Sequence, residues 1–188
     1  MKKGGIYQDP TASGRNRESK IDFSTALSKT NGYEIIDDKN IAGLTVLFKG
    51  EQVGRLFKKR QFYSFLDEKG VDWRSKISAT LEPDDALLVI VRDTLFIIEI
   101  KFQNCPGSVD EKLQTCHYKK IWYQKIVRDL GLLVEYVYVL NDWFKQPRYK
   151  DVLNYITDVS CHYYFDELPL RWLGLPTDNV DVEVELYE

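Results

Sequence analysis

The chain has 188 residues, 44% of them hydrophobic, with 26 basic and 29 acidic side chains and a formal net charge of -3. That length sustains one hydrophobic core, so a single domain over residues 1–188 is expected. The three cysteines (Cys105, Cys116, Cys161) have no C-x-x-C spacing and only His117 and His162 could complete a zinc set, which argues against a disulfide framework or a structural zinc.

The longest apolar run, residues 86–91, is far too short to span a bilayer, and the polar N-terminus lacks an apolar signal core, so a cytoplasmic protein with no membrane partner is expected. Charge is unevenly placed. Residues 166–188 hold seven acids and one base, an acidic C-terminal extension that leaves 25 bases against 22 acids in the rest of the chain. A mildly basic body is compatible with a polyanionic ligand despite the negative total.

Residues 1–20 combine glycines, a proline and the bases Lys2, Lys3, Arg15, Arg17 and Lys20, the composition of a flexible arm. From Arg55 to Leu66 the residues Leu56, Phe57, Phe62, Tyr63, Phe65 and Leu66 share a broad helical face, with Lys58, Lys59 and Arg60 elsewhere, which predicts an amphipathic helix ending before Gly70. Residues 86–91 and 94–102 are nearly continuous apolar runs separated only by Arg92 and Asp93, so they predict an antiparallel hairpin covered on both faces. Residues 109–130 predict a long helix, with Ser108 and Glu111 at the S-x-x-E spacing of a capping box. Residues 132–140 predict a third core strand and residues 148–159 another helix. Finally, Val180, Val182, Val184 and Leu186 alternate with Asp181, Glu183 and Glu185, the pattern of a strand with one acidic face. The predicted fold class is α/β (α+β), a central mixed sheet flanked by helices.

The chemistry concentrates in Glu82-Pro83-Asp84-Asp85 and Glu99-Ile100-Lys101. If Arg92 and Asp93 form a two-residue turn, Asp84 falls opposite Lys101, and Glu99 is a diagonal neighbour on the same face. By the same parity Glu82 points toward this group and Asp85 points away. Two carboxylates and a lysine on one face of an apolar sheet are costly to bury unless paired or bound to a metal. Mg²⁺, which prefers oxygen ligands and is commonly held by one or two carboxylates plus a substrate phosphate, suits Asp84, Glu99 and Glu82, with Mn²⁺ as a substitute. Such an ion polarises a phosphodiester and lowers the pKa of a bound water, and Lys101 can orient that water and stabilise the developing phosphorane.

Pro83-Asp84 followed by Glu99-Ile100-Lys101 on the next strand resembles the signature of the PD-(D/E)XK nuclease superfamily. The run from Gly107 to Lys112 resembles one found in restriction endonucleases of that superfamily, and Gln114 with Tyr118 has the Q-x-x-x-Y spacing of the helix that follows the motif in some of its nucleases. The resemblance covers roughly residues 80–125. It implies a restriction-endonuclease-like core in which Asp84 and Glu99 bind the metal, Lys101 acts on the water, and Gln114 helps place a metal-bound water or a phosphate. Many members add a glutamate from an earlier helix; Glu51 and Glu34 are the candidates, and spacing does not decide between them.

The function implied is a Mg²⁺-dependent DNA endonuclease, with a type II restriction endonuclease favoured. A chain this small would act on double-stranded DNA as a homodimer or beside a larger recognition subunit. A structure-selective nuclease, such as a junction resolvase or transposition subunit, and a non-catalytic DNA-binding or assembly module are the alternatives. Candidate DNA contacts are Lys58, Lys59, Arg60, Lys119, Lys120 and Arg148, together with Arg74, Lys76 and the loop of residues 143–150, each of which could equally be a solvated basic patch.

Overall fold

A computed structural model describes residues 23–58, 60–82, 85–89, 92–105, 109–178 and 183–185, with residues 85–89, 109–110 and 183–185 described by their backbone. The expected N-terminal arm, Lys59, Asp84 and the Gly107-Ser108 pair lie outside these residues. The elements in order are α1 (Phe23–Ser28), β1 (Tyr33–Ile36), β2 (Leu44–Phe48), β3 (Glu51–Phe57), α2 (Gln61–Glu68), β4 (Asp85–Val89), β5 (Thr94–Lys101), α3 (Val109–Lys112), α4 (Cys116–Val127), β6 (Leu133–Leu140), α5 (Lys150–Asp158), β7 (His162–Phe165), β8 (Glu167–Pro169) and β9 (Glu183–Glu185). Short 3-10 turns join α3 to α4, extend α4 and precede α5.

Strands β1 to β7 form one seven-stranded sheet in sequence order. Pairing is antiparallel from β1 to β5 and parallel from β5 through β6 to β7. The sheet is therefore mixed, as expected. Its parallel half is built by helical crossovers, since parallel neighbours cannot be joined by a tight turn. β8 and β9 pair separately.

Both faces of the sheet are covered, which is why β5 and β6 are nearly continuous apolar sequence. On one face Leu95, Ile97, Tyr136, Tyr138 and Leu140 meet Phe62 and Leu66 of α2, Tyr123, Ile126 and Val127 of α4, and Ile156 of α5. On the other, Phe96, Ile98, Ile100, Val137 and Val139 meet Phe23 and Leu27 of α1 and Leu168, Leu170, Leu173 and Leu175. The first ten residues of the acidic C-terminal segment thus belong to the second covering layer. Each of those leucines is at most 3% exposed, and full burial of such a side chain is worth about 1.5–3 kcal/mol. Cys116 and Cys161 are buried and free, and Cys105 is exposed and free.

Two sequence expectations need correction. Residues 55–66 are not one helix: the first three belong to β3, and the helix begins at Gln61. Lys49 and Gly50 both take positive φ, 50° and 84°, the requirement of a two-residue hairpin turn that follows strand twist. That turn sends residues 51–57 back along β2, and Arg55, only 8% exposed, is accepted in a strand because Glu68 and the Ala42 carbonyl meet its guanidinium.

The β4–β5 hairpin is present with a different register. Val89 pairs with Thr94 and Asp85 with Ile98, two residues away from the register that a two-residue turn at Arg92-Asp93 would set. Arg92, between the two strands, is held by tertiary contacts. Its Nη1 donates to the Trp172 carbonyl at 2.8 Å and its guanidinium lies 5.3 Å from the Phe96 ring centre. Gly174, at φ 74°, makes room for this, since a Cβ there would sit 2.2 Å from Arg92 Cδ. The shift of two residues preserves parity.

Candidate active site

Glu99 and Lys101 end β5, the strand whose neighbours are antiparallel β4 on one side and parallel β6 on the other. Open sheets leave ligand-sized crevices beyond the carboxyl ends of parallel strands, where connections diverge. Alternation puts both side chains on the face of Leu95 and Ile97, under α4.

Glu99 is 4% exposed, yet ionised. Burial pushes its carboxyl up, but Lys101 and Lys119 together outweigh that and hold it below the ordinary glutamate range. Lys101 Nζ lies 2.8 Å from Oε2, and Lys119 Nζ lies 2.6 Å from Oε1. The Tyr136 hydroxyl also donates to Oε1. Tyr136 packs edge to face on Tyr138 with ring centres 5.3 Å apart, and the Tyr138 hydroxyl donates to the Lys112 carbonyl at 3.1 Å. Burial, then the neighbouring Glu99 charge, pushes both phenols well above their ordinary range, so they stay protonated donors.

Lys119 and Tyr136 are the members that sequence reasoning missed. Lys119 was grouped with Lys120 as a DNA contact, but its position carried a signal. Leu113, Cys116, Tyr123 and Ile126 form the buried stripe of the helical segment, and Lys119 stands one turn from Cys116 and one from Tyr123 on that stripe. A cation there has to meet a buried anion. Tyr136, in an apolar strand, reads only as core.

The other candidates lie elsewhere or are otherwise engaged. Glu82 is exposed and pairs with Arg60, Nε to Oε1 3.4 Å. Glu51 begins β3, six residues before Phe57, whose register partner is Ala86, so it lies about 20 Å back along the strand from the level of that pair. Glu34 is exposed on edge strand β1. Neither joins Glu99. Gln114 is exposed and lines a groove of about 620 Å³ with Arg148, Tyr149, Asp151, Val152 and Tyr155.

Among the basic candidates, Lys58 reaches Ser24 Oγ at 2.9 Å. Lys120 reaches Glu135 Oε2 at 3.0 Å and the Ser160 carbonyl at 2.6 Å. Arg74 pairs with Asp67 at 2.7 Å and stacks on Trp73, and Lys76 pairs with Asp129 at 2.5 Å. Arg60 and Arg148 are exposed.

Glu99 supplies one carboxylate, an oxygen group of the kind Mg²⁺ takes. It is a buried oxyanion kept ionised by positive charge, and ammonium groups already occupy cation positions on both of its oxygens. Among the described residues no group of three His, Cys, Asp or Glu side chains is assembled, and the expected second carboxylate, Asp84, lies outside them. No helix among the described residues is long and apolar enough to cross a membrane. No protein-family model, curated protein or solved structure matches this chain.

Proposed function

We propose that the chain is a Mg²⁺-dependent endonuclease acting on double-stranded DNA, with Glu99 and Lys101 at its reaction centre and Asp84 as the second carboxylate. One observation carries the reading: an ionised glutamate, almost fully buried, shares its sheet face and an ion pair of 2.8 Å with a lysine two residues on, at the carboxyl end of the strand where the sheet changes from antiparallel to parallel. Asp84 and Glu99 would hold the divalent cation, which would supply Lewis-acid charge for a phosphodiester and its attacking water.

The chain's own groups do the rest. Glu99 fixes Lys101 by charge and geometry, so the ammonium is held in one place before substrate arrives. Lys101, 19% exposed in its side chain, orients the attacking water and shields the charge that builds on the nonbridging phosphate oxygens. Tyr136 holds Glu99 Oε1 by a hydrogen bond, which limits rotation of the carboxylate. Within this class the reading we favour is a type II restriction endonuclease, working as a homodimer or as the cleavage subunit beside a recognition protein.

A second reading, a non-catalytic DNA-binding or assembly module, draws on the three donors that already surround Glu99; in it the carboxylate is only a structural counter-ion. The two separate on incubation of the full chain with supercoiled plasmid, phage DNA and branched duplexes in Mg²⁺, with EDTA and Glu99→Ala as controls. Discrete metal-dependent fragments that vanish in the variant support the restriction reading, and cleavage confined to branched duplexes points to a structure-selective nuclease. Intact substrates throughout, with no Mg²⁺ or Mn²⁺ binding, overturn the catalytic reading.

A further inference from the structure

Cys116 and Cys161 are free thiols, 0% and 1% exposed, in one core cluster, and their side chains are hydrogen-bonded to each other. Each is placed by its own element. Cys116 opens α4. Cys161 follows α5 through a left-handed turn at Ser160, φ 56°, in which the Ser160 N–H donates to the Thr157 carbonyl at 3.0 Å and the Cys161 N–H to the Ile156 carbonyl at 2.9 Å. These two bonds are the Schellman closure of a helix, which brings the residue after the left-handed position back toward the last turn. Lys120, one turn along α4 from Cys116, donates to the Ser160 carbonyl at 2.6 Å and ties α4 to that turn from outside. The sulfurs lie just beneath the surface, since the adjacent residues His117 and Ser160 are exposed.

Their surroundings distinguish the two sulfurs. The Cys161 thiol, the backbone N–H groups of His117 and Cys116, and the charge of Lys119 together hold the Cys116 thiol below its ordinary range against the effect of burial. Cys161, which shares its proton with Cys116 and is itself buried, is pushed up. Cys116 is therefore the nucleophile of the pair and Cys161 the resolving thiol.

We propose that Cys116 and Cys161 are a redox modification site, a dithiol that a hydroperoxide oxidises to a disulfide joining the first residue of α4 to the residue before β7. This is independent of the reaction assigned to Glu99. The Cys116 thiolate attacks one peroxide oxygen, the O–O bond breaks, a sulfenic acid forms on Cys116, and the departing hydroxide is protonated to water. The Cys161 sulfur then attacks the sulfenic sulfur, the S–S bond forms, the S–O bond breaks, and water leaves with the Cys161 proton. The two sulfurs give up two electrons and the peroxide, in taking them, becomes two waters. Sulfurs already in hydrogen-bond contact have to approach by only about 1–2 Å to reach the disulfide bond length. A small dithiol reverses the step by exchange.

The test treats the full, reduced chain with a small excess of hydrogen peroxide, stops the reaction with catalase, denatures, alkylates the remaining thiols with iodoacetamide and maps the peptides without reductant. The expected product is a peptide pair linked through Cys116 and Cys161, lighter by two hydrogens than its parts, with alkylation lost at both residues and restored by dithiothreitol. The oxidised chain should unfold at a higher urea concentration than the reduced chain, because the link restricts the unfolded state; a lower midpoint would show a link that the fold does not accommodate and would overturn the proposal. In Cys161→Ala the Cys116 sulfenic acid should persist and be trapped by dimedone, and in Cys116→Ala the Cys161 thiol should remain open to alkylation. The wild-type map decides the matter if either variant fails to fold. Exposed Cys105 is the internal control. Oxidation of Cys105 while Cys116 and Cys161 both remain alkylatable overturns the proposal, as does a disulfide from Cys105 to either of them in place of the Cys116–Cys161 link.

Discussion

Arg55 of β3 and Glu99 of β5 are buried charges of this sheet, and their clusters are built on different stoichiometries. Arg55 of β3 meets Glu68 of α2 through two contacts, Nη1 to Oε1 at 3.0 Å and Nη2 to Oε2 at 3.2 Å, while the Ala42 carbonyl also accepts from Nη2 and the Phe57 and Phe65 rings flank the guanidinium. One charge meets one charge. At the end of β5, one carboxylate, Glu99, instead meets both Lys101 and Lys119. A one-to-one pair is sufficient to tie a helix to a strand, whereas two lysines gathered on one carboxylate concentrate positive charge at the end of β5. The contrast predicts that disturbing the first cluster costs stability alone and disturbing the second costs function as well.

The largest effect is expected at Glu99. Glu99→Gln keeps the shape but leaves two ammonium groups without their counter-charge, so cleavage should fall by about 10³-fold or more, the scale of losing a group that organises transition-state charge. Urea unfolding of the same variant should show a loss of about 2–4 kcal/mol, as expected on breaking a buried pair from one side. Glu68→Gln should cost about 2 kcal/mol in urea, less than full burial would give because Glu68 is partly open to solvent. Its cleavage rate per folded molecule should stay within about twofold of wild type. An equal loss of cleavage in Glu68→Gln would erase the distinction between the clusters. Lys119→Met should destabilise by only about 1 kcal/mol, because Glu99 retains Lys101 and Tyr136 as donors.

The smallest effect is in acid. The Glu99 carboxyl sits below its ordinary range in the folded protein because the two lysines outweigh burial, so its ion pairs contribute fully above about pH 4.3, the ordinary glutamate value. The contribution declines as pH falls through the lower folded value. Wild type should therefore hold its margin over Glu99→Gln at neutral pH and lose it progressively on acidification, read from urea midpoints of the two proteins across pH 3–7. A margin that grows on acidification would mean that the folded carboxyl is raised.

Much of this architecture was legible in the chain, for identifiable reasons. β5, β6, the helical stretch from Val109 and α5 carry long apolar runs or clear helical periods, and local pattern suffices for such elements. β3 was hidden because Leu56 and Phe57 merge with Phe62, Tyr63, Phe65 and Leu66 into one apolar stretch, although they stand six and five residues before Phe62 and so break its helical spacing, and because the chain reversal at Lys49-Gly50 carries only one glycine as its signal. The hairpin register was off by two, and Arg92 between the strands answers to Trp172 and Gly174, eighty residues away or more, contacts that no local rule sees. At the site, the Glu99–Lys101 pair was readable from strand alternation. Lys119 was legible only in its place on the buried stripe of the helix, and its partner was not, since that belongs to another element.

The central claim is that the Glu99 cluster is where the reaction occurs, and the most direct measurement compares the two clusters in one assay. Mg²⁺-dependent cleavage of plasmid is followed for wild type, Glu99→Gln and Glu68→Gln at a temperature where all three are folded by circular dichroism. The predicted result is cleavage by wild type and Glu68→Gln at comparable rates, and none by Glu99→Gln within the range of the assay. Cleavage by Glu99→Gln at the wild-type rate would contradict the account and move the reaction centre away from the end of β5.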